Sequence, residues 1–467
     1  MRLRHLLIAA ASVVATVAVT TSVATAAVPV PPSAPALPAS LLVNPSGLPN
    51  GPTRDYGTPT AAPGKTCPFT GNVPVSLPVG SLPVGNSLPG LGGVVLPGPT
   101  VPTTVYAELC MSESALADAR AGHPPAVLVL VHGITYGTWY WDLPYEPQTY
   151  SAVNYLNGHG YATLNIDRIG EGRSGHPISP LVTSATNADA VHQLVQKLKA
   201  GEIGGLTFPH VGLVGHSYGT ITNWRESAVY NDTDINIGTG YSDGINPVTA
   251  GAFVTQAEPA IASPLNADQP WAIDPGYLQP LPGSRSIPQL YYMPNTDPEV
   301  IATDERLANT DTAEELGTFL QSEVDGSRKN ILVPTFLIDG QHDLLVCGNN
   351  AEKCATAATT SSDPATVEAD ASTLHGWQGS VMNSKACFRA AVIPDAAHDI
   401  NFHRNAQQLY AQIAYFADQA MGVHGENVGS YRATCDTAGG GLSDTVPHVN
   451  APGVTPPPLD SNPVPGV

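Results

Sequence analysis

Short apolar runs alternate with amphipathic stretches from about residue 105 to residue 425. The runs are Ala126 to Val131, Tyr161 to Ile166, Val211 to Val214, Ala252 to Thr255, Thr335 to Ile338 and Phe388 to Ile393. Each is too short for a buried helix and too uniformly apolar for a strand with one wet face, so they predict parallel strands covered on both sides. Apolar positions recur at helical spacing in Gln148 to Asn157, Asn187 to Lys199, Tyr218 to Tyr230, Asp304 to Glu323 and Ala406 to Met421. Strands alternating with helices predict an α/β fold, a mostly parallel sheet flanked by helices. From Pro259 to about Ile331 the alternation breaks into Pro-rich turns, which predicts a cap inserted over the strand ends.

The two ends read differently. Arg2 and Arg4, the apolar stretch Leu6 to Val19 and Ala24-Thr25-Ala26 have the form of a cleaved export signal over residues 1–26. Residues 27–104 are rich in Pro, Gly, Val and Leu, with a repeat at Ser76-Leu77-Pro78-Val79-Gly80 and Ser81-Leu82-Pro83-Val84-Gly85. Such proline density excludes a helix and disfavours central strands, so an arm or linker is expected there, with the catalytic domain at 105–435. Residues 436–467 read as a disordered Pro-rich tail. Six cysteines suit an exported chain, and proximity pairs Cys67 with Cys110, Cys347 with Cys354 and Cys387 with Cys435. No Cys-x-x-Cys occurs, and neither a metal nor an organic cofactor is expected. The formal charge of −20 argues against nucleic acid and anionic lipid as partners. After residue 26 no stretch is long and apolar enough to span a bilayer.

The chemistry concentrates at Gly215-His216-Ser217-Tyr218-Gly219, between an apolar run and a helix. This is the form of a nucleophile elbow, whose glycines keep neighbouring backbone from colliding. A Gly-rich strand-to-helix loop is the competing reading. A serine hydroxyl is a poor nucleophile without a base and an acid to orient that base. Asp343 follows the run Thr335 to Ile338 through Gly340-Gln341-His342, with Asp339 and Glu258 as rivals and a turn-capping role as the alternative. His398 follows the last run, with His403 as the alternative base. For the oxyanion, the backbone N–H groups of Tyr218 and of Ile134, after His132-Gly133, are the expected donors.

Together the strand ending in His132-Gly133, the segment Asp167-Arg168-Ile169-Gly170-Glu171-Gly172-Arg173-Ser174, the elbow, Gly340-Gln341-His342-Asp343 and His398 resemble the α/β-hydrolase superfamily. The resemblance covers about residues 105–425 and implies a secreted esterase- or lipase-like serine hydrolase with Ser217, Asp343 and His398 as its triad. The substrate implied is a small-molecule or lipid-like ester. The same triad also serves amidases and lactonases, and a binding protein on an inactive scaffold is the reading from another class. The interval from Asp343 to His398 is longer than usual in the family and implies an inserted loop. Tyr136 and Trp139, among the aromatics that follow the oxyanion loop, are candidate pocket residues; packing beneath the cap explains them equally well. Asn231-Asp232-Thr233 has the form of a glycosylation sequon.

Overall fold

The computed structural model describes residues 56–78, 100–245, 251, 255–266, 269–287, 289–319, 326–346 and 362–436. The expected signal, the tail and the pair Cys347 and Cys354 lie outside the described residues. Eight strands form one sheet: β1 (Lys65–Pro78), β2 (Thr100–Ser112), β3 (Val127–Val131), β4 (Ala162–Ile166), β5 (Val211–His216), β6 (Ile235–Thr239), β10 (Thr335–Gly340) and β11 (Arg389–Ile393), in the order β1-β2-β4-β3-β5-β6-β10-β11. From β4 to β11 every pairing is parallel, and β1 and β2 pair antiparallel at one edge.

Strand periodicity divides the core. Leu128 and Leu130 of β3 enter one apolar cluster, whereas Val127, Val129 and Val131 enter the cluster on the other face. The first cluster is closed by Leu156 of helix α2 (Ala152–Gly158) and by Leu409 and Ile413 of α8 (Ala406–Ala420). The second is closed by Val191, Leu194 and Leu198 of α3 (Ser184–Ala200), whose N-terminus is held by a capping box between Thr183 and Thr186. A third cluster joins Ile221 and Trp224 of α4 (Tyr218–Val229) to Leu337 and Val392. Leu374 of α7 (Pro364–Gly379) belongs to it as well.

Three expectations meet a different outcome. The boundary placed after residue 104 falls inside β2, and Lys65–Pro78 is the sheet's edge strand, tied to β2 by the Cys67–Cys110 disulfide. Val73, Val75 and Leu77 alternate inward there, while the prolines sit where an edge strand tolerates a missing N–H. The strand after α4 is Ile235–Thr239; of the expected run Ala252 to Thr255, residues 252–254 lie outside the described residues and Thr255 is in a turn. Asn236 and Gly238 mask β6 in the sequence, yet Asn236 is buried with its amide donating to Asn223 O and Ser227 Oγ. The helix expected over Asp304 to Glu323 is two helices, α5 (Pro298–Leu307) and α6 (Ala313–Phe319), separated by β9 (Asp311–Thr312). The polar residues between them bond elsewhere: Asn309 N donates to Thr135 O and Thr310 Oγ1 to Gly170 O.

The cap lies between β6 and β10. It contains a small antiparallel sheet of β7 (Ala257–Pro259), β8 (Tyr277–Pro280) and β9, together with α5 and α6. The long interval between Asp343 and His398 contains α7, packed on β11, and a second disulfide, Cys387–Cys435, fastens this region to α9 (Val428–Asp436).

Candidate active site

β5 runs into α4 through Ser217, whose φ of 52° and ψ of −117° place a non-glycine residue in strained backbone. A Cβ at Gly215 would strike the carbonyl of Gly219, and one at Gly219 would strike that of Val131. The turn is held by Ser217 N donating to Thr239 O at 2.8 Å.

His398 follows β11, and its ring centre lies 4.9 Å from that of His216, the residue before Ser217. His398 Nδ1 is 2.8 Å from Asp343 Oδ2, while Asp343 Oδ1 accepts from the backbone of Leu345 at 2.9 Å and Val346 at 3.1 Å. All three side chains are nearly inaccessible to water. The rivals are elsewhere. Asp339 accepts from Tyr241 N at 3.0 Å, Glu258 pairs with Gln279 in the cap sheet, and His403 Nε2 accepts from Tyr292 N at 2.8 Å. Burial opposes a charge on His398, but the charge and hydrogen bond of Asp343, with Asp399 adding to them, outweigh it and raise the imidazole pKa.

Beyond β3 the chain passes through His132-Gly133-Ile134-Thr135. A Cβ on Gly133 would sit 3.1 Å from that of Ser217, so glycine lets this loop close on Ser217. His132 is held neutral by burial, with Nδ1 2.7 Å from Gly133 O and Nε2 accepting from Arg168 N at 2.9 Å. Thr135 has φ 65°, and its hydroxyl donates to Ile134 O at 2.6 Å. Tyr218 opens α4, where helical N–H groups lack intrahelical acceptors. The Ile134 side chain packs in the same apolar cluster as Tyr218 and Ile221.

Two arginines reach this loop. Arg168, in the turn after β4, donates to His132 O and Gly133 O and pairs with Glu171 and Glu315. Arg285 comes from the cap, pairs with Asp304 through Nε and donates from Nη1 to Thr135 Oγ1 at 2.5 Å. Its guanidinium lies 4.1 Å from the Tyr136 ring centre, and the Tyr136 hydroxyl donates to Asp399 at 2.6 Å. Asp399 Oδ1 in turn lies 3.5 Å from Nε2 of His216. A buried polar chain thus links the cap, the loop His132 to Tyr136, the elbow and the His398 loop.

Arg285, Asp304, Asp399 and His216 had no sequence signal for this role. Only the adjacency of 399 to 398 and of 216 to 217 hinted at it. The aromatics fall into the packed interior. Trp139 stacks on Phe402 with 5.9 Å between ring centres, and Tyr140 stacks on His216 at 4.2 Å. Tyr136 touches the site by hydrogen bonding, and a shallow cleft beside it is lined by Thr135, Gln256, Ala257, Pro280, Ser284, Asp311 and Leu316. The Asn231 side chain of the sequon is engaged twice, donating to Asn330 O and accepting from Leu332 N.

Among the described residues, two trios of His and carboxylate ligand atoms fall within 4.8 Å of one another: His216, His398 and Asp399 here, and His192, Glu226 and Asp232 at the far end of α4. In the first, Nδ1 of His398 is already taken by Asp343.

A family model described as the alpha/beta hydrolase family matches residues 128–412. Among curated proteins no relative matches the sequence. Several solved structures are similar. Est1E from Butyrivibrio proteoclasticus, solved with ferulic acid bound, is 14% identical over 68% of this chain and 96% of its own, with a TM-score of 0.38. A carboxylesterase structure from Nitrososphaera gargenis is 15% identical over 68% of this chain and 94% of its own, at 0.40. Epoxide hydrolase A from Mycobacterium thermoresistibile is 13% identical over 67% and 94%, at 0.38. With the family match spanning more than half of its length, the chain belongs to the alpha/beta hydrolase family.

Proposed function

We propose that this chain is an exported serine hydrolase that cleaves carboxylic esters. The observation that carries the reading is the 2.8 Å contact between His398 Nδ1 and Asp343, set beside a strained Ser217. With Nδ1 held as a donor by Asp343, Nε2 is left to take the proton of Ser217 as its Oγ attacks the ester carbonyl. The N–H groups of Ile134 and Tyr218 receive the oxyanion. His398 returns the proton to the leaving alcohol, and the acyl-enzyme is then opened by water along the same route.

Export is supported by the signal-like N-terminus and by the two disulfides. Among the described residues no helix is long and apolar enough to cross a membrane.

Replacing Ser217 by alanine should lower hydrolysis of short p-nitrophenyl esters by roughly 10⁴- to 10⁶-fold. Retained hydrolysis would sink the assignment. A fluorophosphonate probe separates the remaining readings: labelling of Ser217 without ester turnover points to an amide or lactone substrate, and a silent Ser217 to a binding protein.

A further inference from the structure

The helix that starts at the Ser217 elbow carries a second group of ligand atoms at its other end. His192 projects from α3, Glu226 from the last turn of α4, and Asp232 from the loop that follows. His192 Nδ1 lies 2.9 Å from Asp232 Oδ2 and 3.9 Å from Glu226 Oε1. One ligand atom from each of the three lies within 4.8 Å of the other two. The Tyr230 ring stacks on the imidazole at 3.6 Å while its hydroxyl donates to Asp189, which fixes the plane of His192.

Glu226 is the anomalous member. It is fully buried; its Oε2 accepts from Ser227 Oγ at 3.2 Å, while among the described residues no N–H or hydroxyl donor reaches Oε1. That oxygen faces both His192 and Asp232. Gln196 Nε2 and Lys199 Nζ already serve Asp232 Oδ2 and its backbone carbonyl, so neither fills the gap.

We propose that His192 Nδ1, Glu226 Oε1 and an Asp232 carboxylate oxygen form a three-ligand site for a divalent transition-metal ion of the zinc class. Tetrahedral zinc holds N and O ligands at about 2.0–2.1 Å, which sets the ligand atoms about 3.3–3.4 Å apart. The His192 distances of 2.9 and 3.9 Å bracket that edge. One imidazole with two carboxylates suits such an ion better than calcium, which takes six to eight oxygens. The side chains of His192 and Asp232 are 23% and 18% exposed, so the fourth position opens to water. Glu226 lies eight residues beyond Tyr218, about 12 Å along the helix, so the ion stands apart from the reaction. Its effect is to tie α3 to the α4–β6 loop in the folded state only, which stabilises the fold by mass action. The ligands come from three separate segments, which is why no short spacing motif marks the site.

The test uses the exported full-length protein, stripped with chelator and titrated with Zn²⁺ against a chromophoric competitor. One equivalent should bind at micromolar or tighter affinity and raise the Tm. His192→Ala and Glu226→Gln should each weaken binding by roughly tenfold or more and abolish the Tm rise. Both should leave ester hydrolysis by the stripped protein unchanged, which also certifies that they fold. If Glu226→Gln fails that check, Asp232→Asn takes its place. Zinc that binds equally well to the variants is held by other histidines and overturns the proposal, as does wild-type protein that takes up no stoichiometric zinc. An equal Tm rise with Ca²⁺ overturns the transition-metal assignment.

Discussion

Two buried arginines grip the same five-residue loop, His132 to Tyr136, and they are held in different ways. Arg168 belongs to the sheet, in the turn after β4, and every arm of its guanidinium is engaged: Nε with His132 O at 3.1 Å, Nη2 with Gly133 O at 3.3 Å and with Glu171, Nη1 with Glu315. Its face covers the ring of Tyr218, the residue that follows Ser217. Arg285 belongs to the cap. It reaches Asp304 and Thr135, yet its Nη2 is buried without a hydrogen-bond partner among the described residues. Burial raises the Asp304 carboxyl to about 6, against the pull of Arg285, and it raises Glu171 and Glu315 as well, against the pull of Arg168, so the two nodes differ in how many carboxyls and carbonyls each guanidinium holds. The first node builds the loop. The second adjusts it from the cap.

The difference sets an order of effects. Arg168→Met strands Glu171 and Glu315 in a dry site, and unfolding in urea should show a loss of about 3–5 kcal/mol. Adding Glu171→Gln and Glu315→Gln to that variant should return much of the loss, because no buried charge is then left alone. A loss under about 1 kcal/mol for Arg168→Met would break the comparison. Arg285→Met should cost less stability, about 1–3 kcal/mol, since it leaves one paired carboxyl without its partner rather than two. Its larger effect should fall on kcat, lower by roughly ten- to a hundredfold as Thr135 loses its tether and Ile134 drifts from the oxyanion, with KM moving less. An unchanged kcat would reduce Arg285 to a packing residue.

These two arginines also mark what the sequence could and could not reveal. Arg168 sits inside a recognisable turn, between an acid and two glycines whose role is steric: a Cβ at Gly172 would overlap Asp167, the residue that receives Thr138 N at 2.6 Å. Local rules of this kind also exposed the elbow, Gly133 and the two described disulfides, because each depends on neighbours in the chain or on simple proximity. Arg285 lies in a Pro-rich stretch with no periodicity, and its partners are far away along the chain. The same holds for β6, whose buried Asn236 conceals a strand that only tertiary hydrogen bonds can satisfy. The edge strand β1 was hidden for the opposite reason, since its prolines suggest a linker until a partner strand is present.

The sharpest comparison concerns the proton on His398, on which cap and body act with opposite sign. For the proposed triad, the acid limb of kcat/KM reports His398 in the free enzyme, which must be neutral to accept the Ser217 proton. Because the His398 pKa is raised, activity should fall as pH drops through a midpoint above 6.5, the ordinary imidazole value. The same raised pKa means that His398 adds stability below its unfolded value, an addition lost as pH rises through the folded one. The base thus becomes active in the range where its contribution to the fold disappears. The charged groups around it are Asp343, Asp399 and Arg285; the two acids raise its pKa and Arg285 lowers it. Asp399→Asn keeps an acceptor for the Tyr136 hydroxyl but removes a negative charge, so the midpoint should move down, by less than about one pH unit. Arg285→Met should move it up. If both variants shift the limb in the same direction, the electrostatic account of this chain fails and what remains is packing.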